Sequence, residues 1–372
     1  MNMKERVVVA MSGGVDSSVA AALLKKQGHE VIGMTMCFNL PDSSRKRSSC
    51  CGIQGIEDAR RVAQKIGIRH YVLNMQKVLK DCVIENFCQE YLHGRTPNPC
   101  IRCNQYIKFG ALLKKTLSLG ARYLATGHYA RIDKVPSTLP GRQADKYQVP
   151  SCQLKKAKDA KKDQSYFLYR LGQKQLRHIL FPLGDYTKDQ VRRLAREFQL
   201  PTAQKPGSQE ICFIPHMDYR EFLKNQGIKI QPGPIIDMQG NVLGEHGGIA
   251  FYTIGQRQGL GIAKGYPLYV AKIEPKSNRI FVGTKEEAKK REFFIKNAHF
   301  ILKPIKKKVA LKVKIRYNHN EMPALIDLSG KKIKVCFRKP QFAITPGQAA
   351  VFYDRDKVIG GGIIDKVLKI KC

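Results

Sequence analysis

No stretch of about 18 uncharged apolar residues occurs in the 372-residue chain, which excludes a membrane-spanning helix. A secretory h-region is also missing, because Met1-Asn-Met-Lys-Glu-Arg6 runs straight into the strand-like Val7–Met11. A cytoplasmic protein with no membrane partner is expected. Acidic residues are scarce, 30 against 66 Lys and Arg, and the formal net charge of +36 calls for a polyanion such as nucleic acid. The 11 cysteines are too thin for a disulfide scaffold in a chain this long without a secretory signal. They are expected as reduced thiols, metal ligands or nucleophiles. No Gly-Lys-Ser/Thr occurs, so there is no Walker loop, and no second Cys-x-x-Cys completes a four-sulfur zinc site.

With 43% apolar residues and a length beyond one ordinary domain, two or three packed domains are expected. Val7–Met11, Val31–Met36, Tyr71–Leu73 and Ala121–Ala125 read as buried strands. Helical patterns over Val19–Lys26, Ile56–Ile66, Val78–His93 and Gln105–Leu119 alternate with them, and Gly28 and Gly67 supply stops. Thr187–Gln199 supplies a further amphipathic helix. Such alternation predicts an α/β fold with a doubly wound, mostly parallel sheet. From Val135 to Asp163 the periodicity fails around a basic cluster, Lys155, Lys156, Lys158, Lys161 and Lys162, and an insertion or surface loop is expected. Beyond about residue 215, glycines punctuate short runs. Val309–Tyr317 and Ile333–Arg338 then alternate apolar with basic residues, predicting a small antiparallel sheet or barrel with a basic face. From residue 281 onward 22 Lys and Arg face 8 Asp and Glu, so the barrel is one part of a polyanion surface spread along the chain. The expected division is 1–215, a catalytic domain; 216–287, a small central connector; and 288–372, a C-terminal antiparallel β-barrel that binds nucleic acid.

Between the first strand and its helix lies Ser12-Gly-Gly-Val-Asp-Ser-Ser18. A glycine-rich turn there is a phosphate cradle, because backbone amides and the helix dipole converge on it. Alone, the same residues would also make an ordinary serine- and glycine-rich turn. The run resembles the pyrophosphatase loop of N-type ATP pyrophosphatases, which cleave ATP to AMP and pyrophosphate while adenylating a substrate oxygen. In that reading Gly13 and Gly14 let the backbone approach the phosphates, Ser12, Ser17 and Ser18 add hydroxyl donors, and Asp16 holds Mg²⁺.

Two further motifs carry thiols, Arg95-Thr-Pro-Asn-Pro-Cys-Ile-Arg-Cys-Asn104 and Ser208-Gln-Glu-Ile-Cys-Phe-Ile214. By spacing alone Cys100 and Cys103 are half a zinc site, a redox pair, or a nucleophile beside a bystander. Cys50 and Cys51 have no motif partner and are read as incidental.

Together with Ala125-Thr-Gly-His-Tyr129, Lys162-Asp-Gln-Ser-Tyr-Phe-Leu168, Thr253–Gly261, Arg316-Tyr317 and Thr345-Pro-Gly-Gln348, these motifs resemble the tRNA-specific 2-thiouridylase family, in matching order from end to end. The resemblance implies an adenine-nucleotide α-hydrolase-like sheet, a small central domain and a β-barrel. It implies replacement of the 2-oxygen of the wobble uridine, position 34, by sulfur in tRNAs for Lys, Glu and Gln. ATP adenylates that oxygen, and a persulfide relay protein or cysteine desulfurase supplies the sulfur to a monomeric enzyme.

Residue by residue, Cys212 matches the persulfide carrier and Cys103 the nucleophile, which together form a transient disulfide. Ala10, Met11, Ser12, Gly13, Gly14, Val15, Asp16 and Ser17 match the ATP loop; Met36 and Gly127 match further nucleotide contacts. Asn98, Pro99 and Cys100 match the target-base loop. Lys162, Asp163, Gln164, His128, Arg316, Tyr317 and Gln348 match tRNA contacts. One residue departs from the pattern: well-known members carry Asp where this chain has Cys100. Either Cys100 substitutes for an acid or base beside the flipped base, or Cys100, Cys103 and Cys212 hold a [4Fe-4S] cluster. Competing readings are another adenylating ligase or amidotransferase with the same loop, such as argininosuccinate or GMP synthetase, and a non-catalytic RNA-binding protein.

Overall fold

The computed structural model describes residues 4–38, 52–134, 152–207, 211–214, 218–228, 230–304 and 306–368. Strand β1 (Arg6–Ala10) is buried from Val7 on, as its continuous apolar run requires. It leads through residues 11–14 into α1 (Val15–Lys26), and Gly28 leaves that helix at φ +88°. β2 (Glu30–Cys37), α2 (Ile53–Lys65) and β3 (Arg69–Asn74) follow.

The helix expected over Val78–His93 is a run of three segments: α3 (Gln76–Leu79), a π-helical Lys80–Ile84 and α4 (Glu85–Leu92). The next helix begins well before its expected Gln105. Asn98 accepts the Ile101 N–H at 3.2 Å as an N-cap and Pro99 takes the first position of α5 (Pro99–Arg102). A π-helical Cys103–Leu112 and α6 (Leu113–Ser118) continue it. β4 (Tyr123–Thr126), the hairpin β5 (Ala130–Lys134) with β6 (Cys152–Lys156), α7 (Gln173–Leu176), β7 (Ile179–Leu180) and α8 (Lys188–Glu197) close this part of the chain. Its sheet has the order β3-β2-β1-β4-β7 with every pairing parallel, so the doubly wound expectation holds. Strand order reverses between β1 and β4, and ligands of such sheets bind at the carboxyl ends of the two strands flanking that point.

The expectation of irregular chain from Val135 to Asp163 is corrected in part. Residues 135–151 lie outside the described residues, as do Cys50, Cys51 and residues 208–210, but Cys152–Lys156 is a strand. It pairs antiparallel with β5, Ala130 opposite Lys156, and its other edge joins the C-terminal barrel. Two members of the basic cluster serve this joint. Lys155 meets Asp133 at 2.8 Å and Asp356 at 3.3 Å, and Lys156 meets Glu321 at 2.7 Å.

After α9 (Tyr219–Asn225), β8 (Gly233–Ile236), β9 (Val242–His246), β10 (Tyr269–Glu274) and β11 (Arg279–Gly283) form a separate sheet ordered β10-β11-β8-β9 over its own small core. β12 (Lys289–Phe300), β13 (Lys308–Lys314), β14 (Met322–Asp327), β15 (Ile333–Phe342), β16 (Ala349–Asp354) and β17 (Lys357–Val367) make an antiparallel barrel that β12 and β17 close. Val309, Leu311 and Val313 point into it while Lys308 and Lys312 are exposed, as the alternation predicts.

Arg95 and Thr96 lie where the three parts meet. Arg95 pairs with Glu90 at 2.6 Å and donates to the Ile364 carbonyl at 3.0 Å. The Thr96 N–H donates to the Pro346 carbonyl at 2.9 Å, its hydroxyl meets that of Thr253 at 3.1 Å, and Gln348 Nε2 donates to the carbonyls of Thr96 and Pro97 at 3.0 Å each. Removing one partner from such a shielded ion pair leaves the other uncompensated. Arg95→Met is therefore expected to lower stability by about 3 kcal/mol, measured as a shift of the urea midpoint at unchanged slope; an unshifted midpoint would show that the junction bears no load.

Candidate active site

The loop at the switch point takes its shape from side chains turned inward. Ser17 Oγ accepts the Ser12 N–H at 3.2 Å, and the hydroxyls of Ser17 and Ser18 both donate to the Gly14 carbonyl, at 3.1 and 2.8 Å. Two hydroxyls expected to face the phosphates thus bind the loop itself. Buried Thr35 donates to the Met11 carbonyl at 2.8 Å from the neighbouring strand. Gly13 has φ +69°, and a Cβ on it would lie 2.3 Å from the Gly55 carbonyl oxygen, so both conformation and space require glycine. Gly127 closes the other side: its Cβ would lie 2.7 Å from Ser17 N and 2.8 Å from the Asp16 carbonyl carbon.

Of the expected loop residues, Ala10, Met11 and Val15 are buried walls, and Ser12, Gly14 and Asp16 are half-buried. Ala10 is in register with Met34 and with Thr126, so Met36, two residues past Met34, reaches the same rim as Gly127. The structure therefore gathers the whole expected nucleotide set, Ala10–Ser17 with Met36 and Gly127, around one switch point.

Asp16 is not an isolated carboxylate. Lys188 Nζ grips it at 2.6 and 2.8 Å, and Tyr129 Oη donates to it at 2.8 Å. Burial, then the neighbouring Asp16 charge, pushes the Tyr129 phenol far above its usual range, so it stays a donor. A second ammonium, Lys205, reaches the Gly13 carbonyl at 3.1 Å and Asp58 Oδ2 at 2.5 Å. Lys188, Lys205 and Asp58 escaped the sequence reading because none belongs to a local motif; only the packing of α8, the chain after it and α2 around the loop brings them there. The helix start itself was legible, since Thr187 and Gln190 form a capping box that fixes Lys188 as the first helical residue.

The thiols lie elsewhere. Cys103 is buried at the start of the π-helical segment, Cys100 is exposed one turn earlier, and Cys212 is half-buried. Their neighbours rest on one helical run: Arg102 Nε donates to the Cys82 carbonyl at 2.5 Å, and Phe213 packs edge-on against Phe87 with centroids 5.4 Å apart. Five residues separate those two footholds, about 7 Å of helix. Among the described residues no three His, Cys, Asp or Glu side chains form a group that could hold a metal ion. Asp16, a single partly exposed carboxylate, suits a cation such as Mg²⁺ that takes most of its oxygens from phosphate and water.

The residues expected to touch RNA divide into two sets. Lys162 is exposed, and Tyr317 packs at a 34° tilt against Phe167 with centroids 4.6 Å apart. By contrast, His128 is buried, its Nδ1 2.7 Å from Thr126 Oγ1, and desolvation holds its pKa well below the usual range, so it is neutral. Asp163 is buried beneath the N–H groups of Ala157 and Ser165. Gln164 Oε1 accepts the Tyr129 N–H, and Arg316 bonds the carbonyls of Phe342 and Ala343. Asn98 caps α5, and Gln348 holds the two carbonyls just before Asn98.

A doubly wound sheet with a glycine-rich phosphate loop, a carboxylate and an ammonium at its switch point defines an α/β nucleotide-binding enzyme. Residues 5–216 match the family model described as a tRNA methyl transferase HUP domain, 220–284 its PRC-barrel domain, and 290–364 an aminomethyltransferase beta-barrel domain. The tRNA-specific 2-thiouridylase MnmA of Carboxydothermus hydrogenoformans is 50% identical over 98% of this chain and 99% of its own length. MnmA 1 of Caldanaerobacter subterraneus subsp. tengcongensis is 49% identical over 99% of this chain and 100% of its own. The chain belongs to the tRNA-specific 2-thiouridylase family, whose members are tRNA-modifying sulfurtransferases.

Two outcomes check the loop architecture. Gly127→Ala forces a methyl group against backbone that cannot move aside cheaply, and ATP affinity is expected to fall at least about tenfold, the result of losing roughly one charge-assisted contact; calorimetric titration with wild-type affinity would contradict the packing. Asp58 sits below the ordinary aspartate range: burial alone would raise it, but its bonds to Lys205 and Arg61 outweigh that. A carboxyl whose native pKa lies below its unfolded value adds stability above the unfolded value and loses it as pH falls through the native one. Thermal stability is thus expected to drop below about pH 4 in the wild type and to drop less in Asp58→Asn; parallel profiles would remove Asp58 from the loop's support.

Proposed function

We propose that the chain makes 2-thiouridine at the wobble position of tRNA in two stages, with ATP cleaved at the Ser12–Ser18 loop and sulfur delivered through Cys212 and Cys103. The observation that carries the reading is the convergence of Asp16, the loop backbone and Lys188 at the switch point of a chain that belongs to this family end to end.

In the first stage the uracil 2-oxygen attacks the α-phosphorus of ATP, the bond to the β-phosphate oxygen breaks, and pyrophosphate leaves with the electron pair. Gly13 and Gly14 let the backbone approach that leaving group, and α1 directs its positive dipole end there. Asp16 would hold Mg²⁺, which supplies charge neutralisation of the phosphates. In the second stage a persulfide on Cys212 attacks carbon 2 and AMP departs. The Cys103 thiolate then attacks the sulfur still bonded to Cys212, leaving the terminal sulfur on the base and a Cys103–Cys212 disulfide for a reductant to reopen. The attachment of both cysteine segments to one helical run favours this pairing.

The wobble base must leave its stack to reach these groups. The exposed Lys308 and Lys312 on the barrel, and Lys162, supply phosphate contacts; Lys155 and Lys156 are committed to carboxylates. The bases in tRNAs for Lys, Glu and Gln are the proposed targets, and a cytoplasmic sulfur-relay protein the proposed donor to a monomer.

The decisive experiment combines pyrophosphate release with mass spectrometry of wobble nucleosides. Cys103→Ser and Cys212→Ser are each expected to abolish 2-thiouridine while retaining tRNA-dependent pyrophosphate release. Thiolation surviving either change would overturn the sulfur path, and pyrophosphate release independent of tRNA would point instead to a ligase or amidotransferase. Affinity for tRNA is expected to fall steeply between low and physiological salt, as counterion release demands.

A further inference from the structure

We propose that Tyr106, flanked by Arg102 and Arg170, is a stacking platform for the anticodon-loop nucleotide next to the extruded wobble base. The inference rests on the proposal that this chain draws that base out of its stack, and it gives a part to side chains that the family resemblance leaves without one.

Tyr106 stands three residues after Cys103 on the π-helical segment and is 36% exposed, while its neighbours Ile107 and Phe109 are buried. Arg102 lies over its ring, the guanidinium carbon 4.9 Å from the centroid. Because Arg102 Nε also donates to the Cys82 carbonyl at 2.5 Å, the guanidinium is held at the ring and does not sweep through solvent. Arg170 lines the same cleft, its Nε donating to Gln105 Oε1 at 3.1 Å and its Nη1 to the Asn297 carbonyl. Asn98, in the loop that the resemblance assigns to the target base, lines that cleft as well.

Charge separates these two arginines from the one beside them. Arg95 is met by the carboxylates of Glu90 and Asp365, and Glu90 is itself part of the cleft wall. Arg102 and Arg170 are fixed by neutral acceptors instead, and among the described residues no carboxylate pairs with either. An arginine that is fixed but not neutralised keeps its charge for an anion from outside. The ring between them narrows the choice. Free phosphate or an acidic side chain would use the guanidinium groups and leave Tyr106 idle, whereas a nucleotide brings a phosphate for the arginines and a flat base for the ring. Extruding the wobble base strips each neighbouring base of one stacking partner. Tyr106 replaces that partner on one side, and the phosphate linking the stacked nucleotide to the wobble uridine falls to Arg102 and Arg170. Ring and Cys103 share one helical segment, so a single element positions both the neighbour and the thiol.

The test uses the full chain as wild type, Tyr106→Leu and Tyr106→Phe, with an anticodon stem-loop RNA carrying 2-aminopurine on one side or the other of the wobble base. With wild type and Tyr106→Phe, the probe on one of the two sides is expected to stay quenched on binding, as a stacked base does. In Tyr106→Leu that probe is expected to brighten severalfold and RNA affinity to fall at least about tenfold. Arg102→Gln is expected to lower the slope of log affinity against log salt by roughly 0.7, one phosphate contact on a single strand. A Tyr106→Leu chain that binds and quenches as the wild type does, or wild-type protein that brightens the probe on both sides, would overturn the inference. Wild-type protein that leaves 2-aminopurine at the wobble position itself stacked would instead overturn the base-extrusion reading beneath it. Should Tyr106→Leu not fold, Tyr106→Gln also lacks the ring and carries the same expectations.

Discussion

The site hangs on a contact between two stretches of backbone. Gly127, just past the end of β4, lies against the peptide joining Asp16 to Ser17, where even a methyl group would collide at 2.7 Å. That contact fixes the start of α1 relative to β4. Because Tyr129 follows two residues later, it also aims the phenol at Asp16. Glycine at Gly13 does the same on the opposite side, letting the start of α2 close over the loop. A phosphate-binding helix end is useful only if its amides stay put when the ligand's charge changes, and close backbone packing on both flanks supplies that rigidity.

The loop's hydroxyls belong to the same economy. Ser17 and Ser18 bond the Gly14 carbonyl, so they set the turn, while cations approach from outside on α8 and the segment after it. Lys205 precedes Cys212 by only seven residues, so the strand of chain that carries the thiol is pinned to the phosphate loop at its base. Arg95 and Thr96 give the Asn98–Cys103 segment a comparable anchor on the barrel and the central sheet. The Asn98–Cys103 segment is thereby held from all three domains, and the Cys212 segment from the phosphate loop and, through Phe213 against Phe222 with centroids 5.6 Å apart, from the start of the central domain.

Charge follows the same division between scaffold and surface. A basic run in sequence is not a basic patch: Lys155 and Lys156 join β6 to Asp133, Asp356 and Glu321, and Arg316 turns to backbone carbonyls. The alternation along β13, by contrast, does translate into exposed lysines, because one face of each barrel strand must be apolar and the other is left for solvent.

Fold class, the phosphate loop and the barrel were legible because each rests on a local rule: buried strands run apolar, glycines permit close approach, and barrel strands alternate. The start of α5 at Asn98-Pro99 was open to the same kind of reading, through its cap and its proline, but was placed too late. The strand at Cys152–Lys156 was not legible, since a hairpin is recognised by a short turn and here 17 residues outside the described structure intervene. His128, Asp163 and Gln348, which match tRNA contacts in the resemblance, bond to other parts of the chain, which a polar residue type by itself does not reveal. The sequence by itself determined where a phosphate chain would be cradled and which thiols stand in motifs. Only tertiary structure decided that Lys188 meets Asp16, 172 residues away, because an ion pair depends on distance through space and no local pattern records it.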